Sequence, residues 1–274
     1  LWNKKFESLF SFQIEAQAKL EEQHKEITDS INYAKRIQSA ILPPIKLVKE
    51  YLNQSFVLYK PKDVVAGDFY WLLPKARDGS TLFAAADCTG HGVPGAMVSV
   101  VCNSALNRSV KEFGLSDPGE ILTKTRELVI EEFEKSDEEV KDGMDIALCS
   151  LNGNTLKFAG ANNPLWVIRK GATEVEEIKA FKQAIGLVDN ATPFPTHEVP
   201  LQKGDTFYVF SDGFVDQFGG DLGKKYKSPN FRRLLLSIQN NPMNEQQQII
   251  DNTFEKWKGN LEQIDDVCVI GVRV

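Results

Sequence analysis

Residues 84–100 read AAADCTGHGVPGAMVSV, and this stretch contains the feature from which we predict the fold. An apolar run ends at Asp87, a glycine-rich turn follows, and the chain after Pro94 has the composition of a helix. An ionised carboxylate at the end of a buried strand is unfavourable unless it is paired, hydrogen-bonded or bound to a metal ion. The rest of the chain must therefore supply a partner for Asp87.

The same pattern, an apolar strand that meets an aspartate at a turn, occurs at three further places. They are VVAGDFYW with Asp68, FYVFSDGFVD with Asp212, and QIDDVCVIGV with Asp265 and Asp266. One such aspartate alone is most often a turn or cap residue. Four places at the ends of apolar strands favour convergence on one site, where hard divalent cations would offset the repulsion between carboxylates. Magnesium and manganese prefer carboxylate and water ligands, whereas zinc prefers cysteine and histidine.

Composition limits the class of protein. The chain has 274 residues, a net charge of -6 and a pI of about 5.3, which allows one large domain with an extension and argues against nucleic-acid binding. The four cysteines show no CxxC spacing and are predicted to be reduced core residues; they are Cys88, Cys102, Cys149 and Cys268. The sequence shows neither a signal peptide nor a long apolar run, and we predict a cytoplasmic protein.

Residues 6–41 contain neither glycine nor proline and carry a heptad seam, which Pro43 and Pro44 end. The seam positions are Phe6, Phe10, Gln13, Gln17, Leu20, His24, Ile27, Ile31, Ala34, Gln38 and Ile41. One interpretation is a helix packed on its own domain. The other, which the position at the start of the chain favours, is a parallel coiled coil that joins two copies. We therefore divide the chain into a linker or coiled-coil helix over residues 1–44 and a second domain over 45–274.

The chain begins with Leu1 rather than methionine, and we expect a sensor module upstream of the helix. Trp2 near this end is compatible with a full-length protein that lies at the inner face of the membrane.

After Pro44 the periodicity changes from that of a helix to that of strands and paired helices. Strands are predicted at 55–60, 67–73, 81–88, 146–151, 155–160, 165–170, 205–212 and 266–274, and helices at 95–110, 119–135, 230–239 and 244–258. The strands come in runs rather than alternating with helices, so a doubly wound parallel sheet does not fit. We predict an α+β fold with antiparallel sheets.

The motifs DVVAGDFYW, ADCTGHGVPGAM, AGANNPLW, GDTFYVFSDGFVDQ and DDVCVIGV occur in one order over residues 50–274. In this they resemble the SpoIIE-like (RsbU-like) bacterial branch of the PPM family, which are metal-dependent serine/threonine protein phosphatases. The resemblance implies an antiparallel β-sandwich flanked by helices in α-β-β-α layers, with two Mn²⁺ or Mg²⁺ ions at one edge.

The resemblance also implies roles for individual residues. Asp87 would bridge both metals, and the backbone carbonyl of Cys88 would help to hold one of them. Asp212 and Asp265 would bind the second metal, and Asp68 would act near the first, directly or through water. Asp266 is expected to support these ligands rather than to bind metal.

Several residues leave two interpretations open. His91 is a candidate general acid for the leaving group, because a serine alkoxide needs a proton, or else a residue that shapes the turn. Asp142 and Asp145 lie near the place where relatives can hold a third metal, or else are loop carboxylates. Lys60 and Lys62 are candidates for contact with phosphate, or else solvated lysines.

From these residues we expect a phosphatase that hydrolyses phosphoserine or phosphothreonine on a regulatory protein by metal-activated water. The N-terminal helix is expected to form a homodimer and to control activity. The resemblance implies a phosphorylated partner such as an anti-sigma-factor antagonist of the STAS type. The alternatives are an inactive phosphatase-like relay that binds a partner, and a two-metal nuclease, against which the acidic charge balance argues.

Overall fold

The computed structural model describes residues 2–135 and 141–274. The side chains of residues 2–11 lie outside the description, and so do the predicted seam residues Phe6 and Phe10. The helices are α1 (Trp2–Ile41), α2 (Ile45–Tyr51), α3 (Gly92–Lys111), α4 (Pro118–Phe133), α5 (Gly213–Asp216), α6 (Ser228–Ser237) and α7 (Met243–Lys258). Over the described ranges, no helix has both the length and the apolar character that crossing a bilayer requires.

Two five-stranded antiparallel sheets form the centre of the fold. The strands are β1 (Ser55–Lys60), β2 (Phe69–Leu73), β3 (Thr81–Cys88), β4 (Met144–Asn152), β5 (Thr155–Ala161), β6 (Leu165–Ile168), β7 (Glu176–Ile178), β8 (His197–Pro200), β9 (Thr206–Phe210), β10 (Phe218–Gly219), β11 (Lys224–Lys225) and β12 (Val267–Arg273). One sheet has the order β1-β12-β9-β6-β7 and the other β2-β3-β4-β5-β8, while β10 and β11 form a separate hairpin.

The position of β3, buried on both faces, explains why its sequence is apolar without alternation. Phe83 and Ala85 face the other sheet, and the Phe83 ring lies 6.1 Å from that of Phe207 on β9. Ala84 and Ala86, on the opposite face, pack with residues of α3 and α4. A strand that is covered on both faces has no polar side, so a continuous apolar run results.

The helices cover the outer faces of the two sheets. Helices α3 and α4 pack on the β2–β3–β4–β5 sheet, and α6 and α7 pack on the other sheet through an aromatic cluster that includes Phe214, Phe231 and Phe254. The predicted α+β sandwich with flanking helices is therefore confirmed. The sequence-based assignment lacked α2, α5 and the short strands β7, β8, β10 and β11.

Helix α1 is one continuous helix that ends before Pro43, as predicted. Its last turns pack against α3 and the loop before β2, where Ile31, Ala34 and Ile41 are partly buried and Gln38 is 5% exposed. Leu20 and Ile27 on the same seam remain about 60% exposed. The C-terminal end of α1 thus packs against its own chain, whereas the described seam side chains from Gln13 to Ile27 are exposed.

Candidate metal centre

The ends of several strands bring carboxylates to one edge of the sandwich. Asp87 closes β3, and the antiparallel register pairs it with Asp145 at the start of β4. In the other sheet Asp212 follows β9 and Asp265 precedes β12, its antiparallel neighbour. These four aspartates line one cavity of about 270 Å³, together with Cys88 and His91 among others.

Asp68 lies directly before β2 and is 2% exposed. Its Oδ2 atom has no hydrogen-bond partner among the described residues. Burial raises the pKa of Asp68 well above its usual value, the charge of Asp87 raises this pKa further, and a hydrogen bond with Ser211 opposes the shift. A buried carboxylate oxygen without a partner is a group that a cation would satisfy.

The other carboxylates show the same electrostatic problem. Burial raises the pKa of Asp87 well above its usual value, and the charges of Asp212 and Asp265 raise it further. The pKa of Asp212 is raised to about 6 by burial first and then by Asp216 and Asp265. Burial and mutual repulsion therefore disfavour the ionised forms of Asp87 and Asp212, and positive charge in the cavity would offset this cost.

Glycines allow the backbone to come close beneath the carboxylates. A Cβ atom on Gly67 would lie 2.2 Å from the carbonyl oxygen of Gly90 and 3.1 Å from that of Cys88. A Cβ atom on Gly213 would lie 2.0 Å from the carbonyl oxygen of Asp266. Both positions require glycine for close approach, and the first brings the Cys88 carbonyl next to the loop that carries Asp68.

Asp266 is engaged by the backbone. Its Oδ1 accepts from the Lys62 N–H and its Oδ2 from the Gly67 N–H, both at 2.7 Å. It therefore holds the loop between β1 and β2 against the start of β12. Asp265 accepts from the Asp266 N–H at 2.8 Å through Oδ1 and lines the cavity.

His91 stands at the rim of the cavity between two charged groups. Its Nδ1 lies 2.9 Å from Asp63 Oδ2, and its Nε2 lies 2.9 Å from Lys62 Nζ. Because the lysine can only donate, this arrangement places the proton on Nδ1 and makes Nε2 an acceptor. Sequence reasoning assigned no role to Asp63, the first residue of the DVVAGDFYW motif, which orients the ring.

The structure gives different surroundings to the two lysines, Lys60 and Lys62, and to the two aspartates, Asp142 and Asp145. Lys60 forms ion pairs with Asp251 and Glu255 of α7, at 2.6 and 2.8 Å. Asp145 accepts a hydrogen bond from Asn162 at 2.8 Å and lines the cavity of the other acids, whereas Asp142 lines a neighbouring cavity of about 60 Å³. The third-metal interpretation of Asp142 and Asp145 thus involves residues that face different cavities.

The fit to a metal ion has two aspects. Within residues 2–135 and 141–274, no group of three or more histidine, cysteine or acidic side chains is already close enough together to hold an ion. The donor set itself fits, because hard carboxylate and carbonyl oxygens are what Mg²⁺ and Mn²⁺ bind, and the unpartnered Asp68 oxygen lies among mutually repelling acids.

Comparison with known proteins identifies the fold and the family. The model of stage II sporulation protein E (SpoIIE) matches residues 77–274, and the chain therefore belongs to the SpoIIE family. No curated protein sequence matches the chain significantly.

Among solved structures, the SiaA-PP2C domain of Pseudomonas aeruginosa is 34% identical, with a TM-score of 0.81 over 92% of this chain and 97% of that one. The SpoIIE PP2C phosphatase domain with a fragment of its regulatory domain, from Bacillus subtilis, shares the fold at 17% identity. Its TM-score is 0.63 over 80% of this chain and 62% of that one. The S. agalactiae serine/threonine phosphatase shares it at 18% identity, with a TM-score of 0.57 over 81% and 98%. The fold is that of the PP2C-like, or PPM, phosphatases.

Proposed function

We propose that this protein is a metal-dependent serine/threonine protein phosphatase that hydrolyses phosphoserine or phosphothreonine on a regulatory protein. The observation that carries the proposal is the convergence of aspartates from both sheets on one cavity, with an unpartnered carboxylate oxygen of Asp68 buried behind it. Asp87, Asp212, Asp265, Asp68 and the Cys88 carbonyl would hold two Mn²⁺ or Mg²⁺ ions.

When bound, these ions would activate water for attack on phosphorus and offset charge on the phosphoryl oxygens. The chain supplies the remaining functions. The carboxylates fix the position of the site between the two sheets, and the glycine contacts keep the loops together beneath it. His91, oriented by Asp63, stands at the rim where a leaving serine oxygen would need a proton. Once Lys62 moves away, Nε2 would first take a proton from solvent and then pass it to that oxygen.

Manganese-dependent hydrolysis of p-nitrophenyl phosphate and of a phosphoserine peptide tests the proposal. We expect turnover in the wild type that Asp87→Asn reduces at least ~100-fold, because a neutral amide is a poorer ligand for a divalent cation than a carboxylate. Asp221→Asn, in the exposed turn between β10 and β11, is the matched control and should retain activity. Comparable activity in wild type and Asp87→Asn would exclude this metal centre.

A second candidate function is a phosphatase-like relay that binds a partner without turnover. The observation that favours it is that the described acids are not already arranged around an ion. Calorimetric titration with Mn²⁺ distinguishes the two candidates. A relay that has lost the centre would bind no Mn²⁺, whereas a phosphatase held in an inactive arrangement would bind it weakly and gain activity at high concentration.

We further propose that α1 controls the site and pairs two copies of the chain. The helix contacts α3, and Gln38 bonds to the backbone of Ala66, two residues before Asp68. The outward seam at Leu20 and Ile27 would bury apolar surface in a parallel dimer. A movement of α1 on dimerisation would then reach the loop of Asp68 directly.

The oligomeric state tests the dimer. The full chain should elute and scatter light as a dimer, and Leu20→Glu with Ile27→Glu should give a monomer, because charged residues oppose a buried seam. A chain from residue 45 onward should be monomeric and altered in activity. The regulatory role of the helix would be excluded if the full chain is monomeric. It would also be excluded if the truncated chain keeps the oligomeric state and the activity of the full chain.

The partner is proposed to be a small phosphorylated regulator such as an anti-sigma-factor antagonist. The family and the resemblance of the motifs support this class of substrate.

A further inference from the structure

A second cavity of about 560 Å³ adjoins the metal-side cavity, and Asp212 lines both. Its walls come from the turn between β5 and β6, the segment after β7, and the start of α6. Among its lining residues are Asn162, Trp166, Lys179, Lys182, Ser228 and Arg232. A chain whose phosphoserine entered the metal-side cavity could continue past Asp212 into this groove.

The cationic residues of the groove differ in whether they are already paired with an acidic residue. Arg232 forms an ion pair with Glu177 and stacks over Trp166, with its guanidinium carbon 4.2 Å from the ring centroid. Trp166 also donates to Glu177 through its indole nitrogen at 3.2 Å. The carboxylate of Glu177 is therefore already compensated, and it does not cancel the charge of a further cation.

Lys179 and Lys182 are the remaining cations of the groove, and both are exposed. Neither forms an ion pair with a residue in the described ranges, although Lys182 lies close enough to Asp145 to oppose the burial that raises the pKa of that carboxyl. Two exposed ammonium groups at the rim give the groove a positive side that faces solvent and a passing polypeptide.

The segment that carries these lysines is held firmly to the sheet. The N–H of Phe181 donates to the carbonyl of Gly160, and the N–H of Asn162 donates to the carbonyl of Phe181, both at 2.9 Å. The positive φ of 58° at Asn162 turns the chain at this point. The lysines are therefore presented from a fixed backbone rather than from a free loop, which reduces the entropy lost on binding.

We propose that this groove binds the segment next to the phosphoserine of the protein substrate, and that Lys179 and Lys182 select an acidic residue in that segment. The proposal rests on the phosphatase function proposed above and adds a substrate preference to it. An extended chain advances about 3.3 Å per residue, so residues close to the phosphoserine would reach the groove.

Matched phosphoserine peptides test this preference. A fluorescent peptide with glutamate scanned through the flanking positions is compared with the same series carrying lysine, by anisotropy and by kcat/KM. The variant is Lys179→Glu with Lys182→Glu. Lys203→Glu is the control, because it changes an exposed lysine before β9, at the opposite end of that strand from Asp212.

We expect the wild type and the control to favour the glutamate peptide about three- to tenfold, the size of one or two exposed ion pairs. The double variant should reverse the preference. An unchanged preference in the double variant, or a wild-type preference for lysine, overturns the proposal. Turnover of p-nitrophenyl phosphate reports separately on the phosphatase function. If turnover is absent but the anisotropy shows the expected preference, the phosphatase activity is refuted and the peptide-binding role of the groove stands.

Discussion

The side chain of Gln38 is hydrogen-bonded to both backbone groups of Ala66. Its Nε2 donates to the Ala66 carbonyl, and its Oε1 accepts from the Ala66 N–H at 3.0 Å. The same Nε2 lies 3.0 Å from Ser99 Oγ on α3. A buried amide on α1 thus completes the hydrogen bonding of the loop that carries Asp68, and it does so between two elements of the core.

Gln38→Ala should weaken both folding and metal response. The substitution leaves a buried N–H and carbonyl without partners, which reduces the free energy of unfolding by about 1–3 kcal/mol. It also loosens the loop of Asp68, so the Mn²⁺ concentration for half-maximal activity should rise. Urea unfolding and a Mn²⁺ titration of p-nitrophenyl phosphate hydrolysis measure the two effects.

Gln23→Ala is the matched control, because Gln23 is exposed on the same helix and lies outside the heptad seam. It should leave both measurements unchanged. Equal effects of the two substitutions would mean that Gln38 acts through helix stability alone.

Asp68→Asn should stabilise the metal-free protein at pH 8 while it removes the metal response. The neutral amide has nearly the same shape and is free of the repulsion from Asp87, so we expect a gain of about 1 kcal/mol in the free energy of unfolding. Added Mn²⁺ should then stabilise the wild type and not the variant. Urea unfolding with and without Mn²⁺ measures this, and an equal Mn²⁺ shift in both proteins would argue against Asp68 as a ligand.

The stability of the metal-free protein should fall as pH rises. The pKa of Asp212 is raised from 3.8 to about 6 in the fold, so the native state holds a proton that the unfolded state releases between these values. Stability from this group is complete below pH 4 and is lost as pH rises through about 6. Asp68 and Asp87 shift in the same direction. Thermal unfolding in EDTA from pH 5 to 8 checks the sign, and a rise over that range would contradict it.

Much of this architecture follows from local patterns in the sequence. The long apolar strands were predictable because both faces of the central strands are buried, and the aspartates were recognisable because each interrupts such a run. The edge strand β8 was not, since HEVP has three exposed residues out of four and carries a proline. Strand β7, with its sequence EEI, failed for the same reason.

The functional contacts that were missed depend on tertiary structure. Gln38 was assigned to the heptad seam of α1, but its amide is hydrogen-bonded within the core. Asp63 and the Lys179–Lys182 segment are remote in sequence from the groups they approach, so spacing contains no signal for them. A heptad pattern shows which residues of a helix share a face, but it does not show whether that face packs on a second helix or on the same fold.

Gly67→Ala should disrupt the site more than the loss of one glycine normally would. The new Cβ would lie 2.2 Å from the Gly90 carbonyl oxygen, so the backbone of one loop must move. We expect a loss of about 2–4 kcal/mol in the free energy of unfolding, comparable to overpacking in a core, together with the loss of Mn²⁺-dependent turnover. Gly153→Ala is the control: its φ is positive, at 57°, unlike that of Gly67, but nothing lies within 4 Å, so only about 1 kcal/mol should be lost. Equal losses would mean that the contact with Gly90 is unimportant.

His91→Gln should separate two substrates according to their leaving groups. A serine alkoxide needs a proton as it departs, whereas p-nitrophenolate leaves without one. If His91 supplies that proton, kcat for a phosphoserine peptide should fall about 100-fold, within the usual range for general acid catalysis, and kcat for p-nitrophenyl phosphate should fall much less.

Asp63→Asn provides the partner test, because it retains a hydrogen-bond partner for His91 Nδ1 but removes the negative charge beside the ring. In this variant kcat for the phosphoserine peptide should fall more than kcat for p-nitrophenyl phosphate, in the same sense as in His91→Gln. A parallel fall in kcat for both substrates in His91→Gln would assign the residue to shaping of the turn after β3. The different response of the two substrates is the result that separates proton donation from a structural role, since a displaced turn would disturb metal binding and slow both reactions alike.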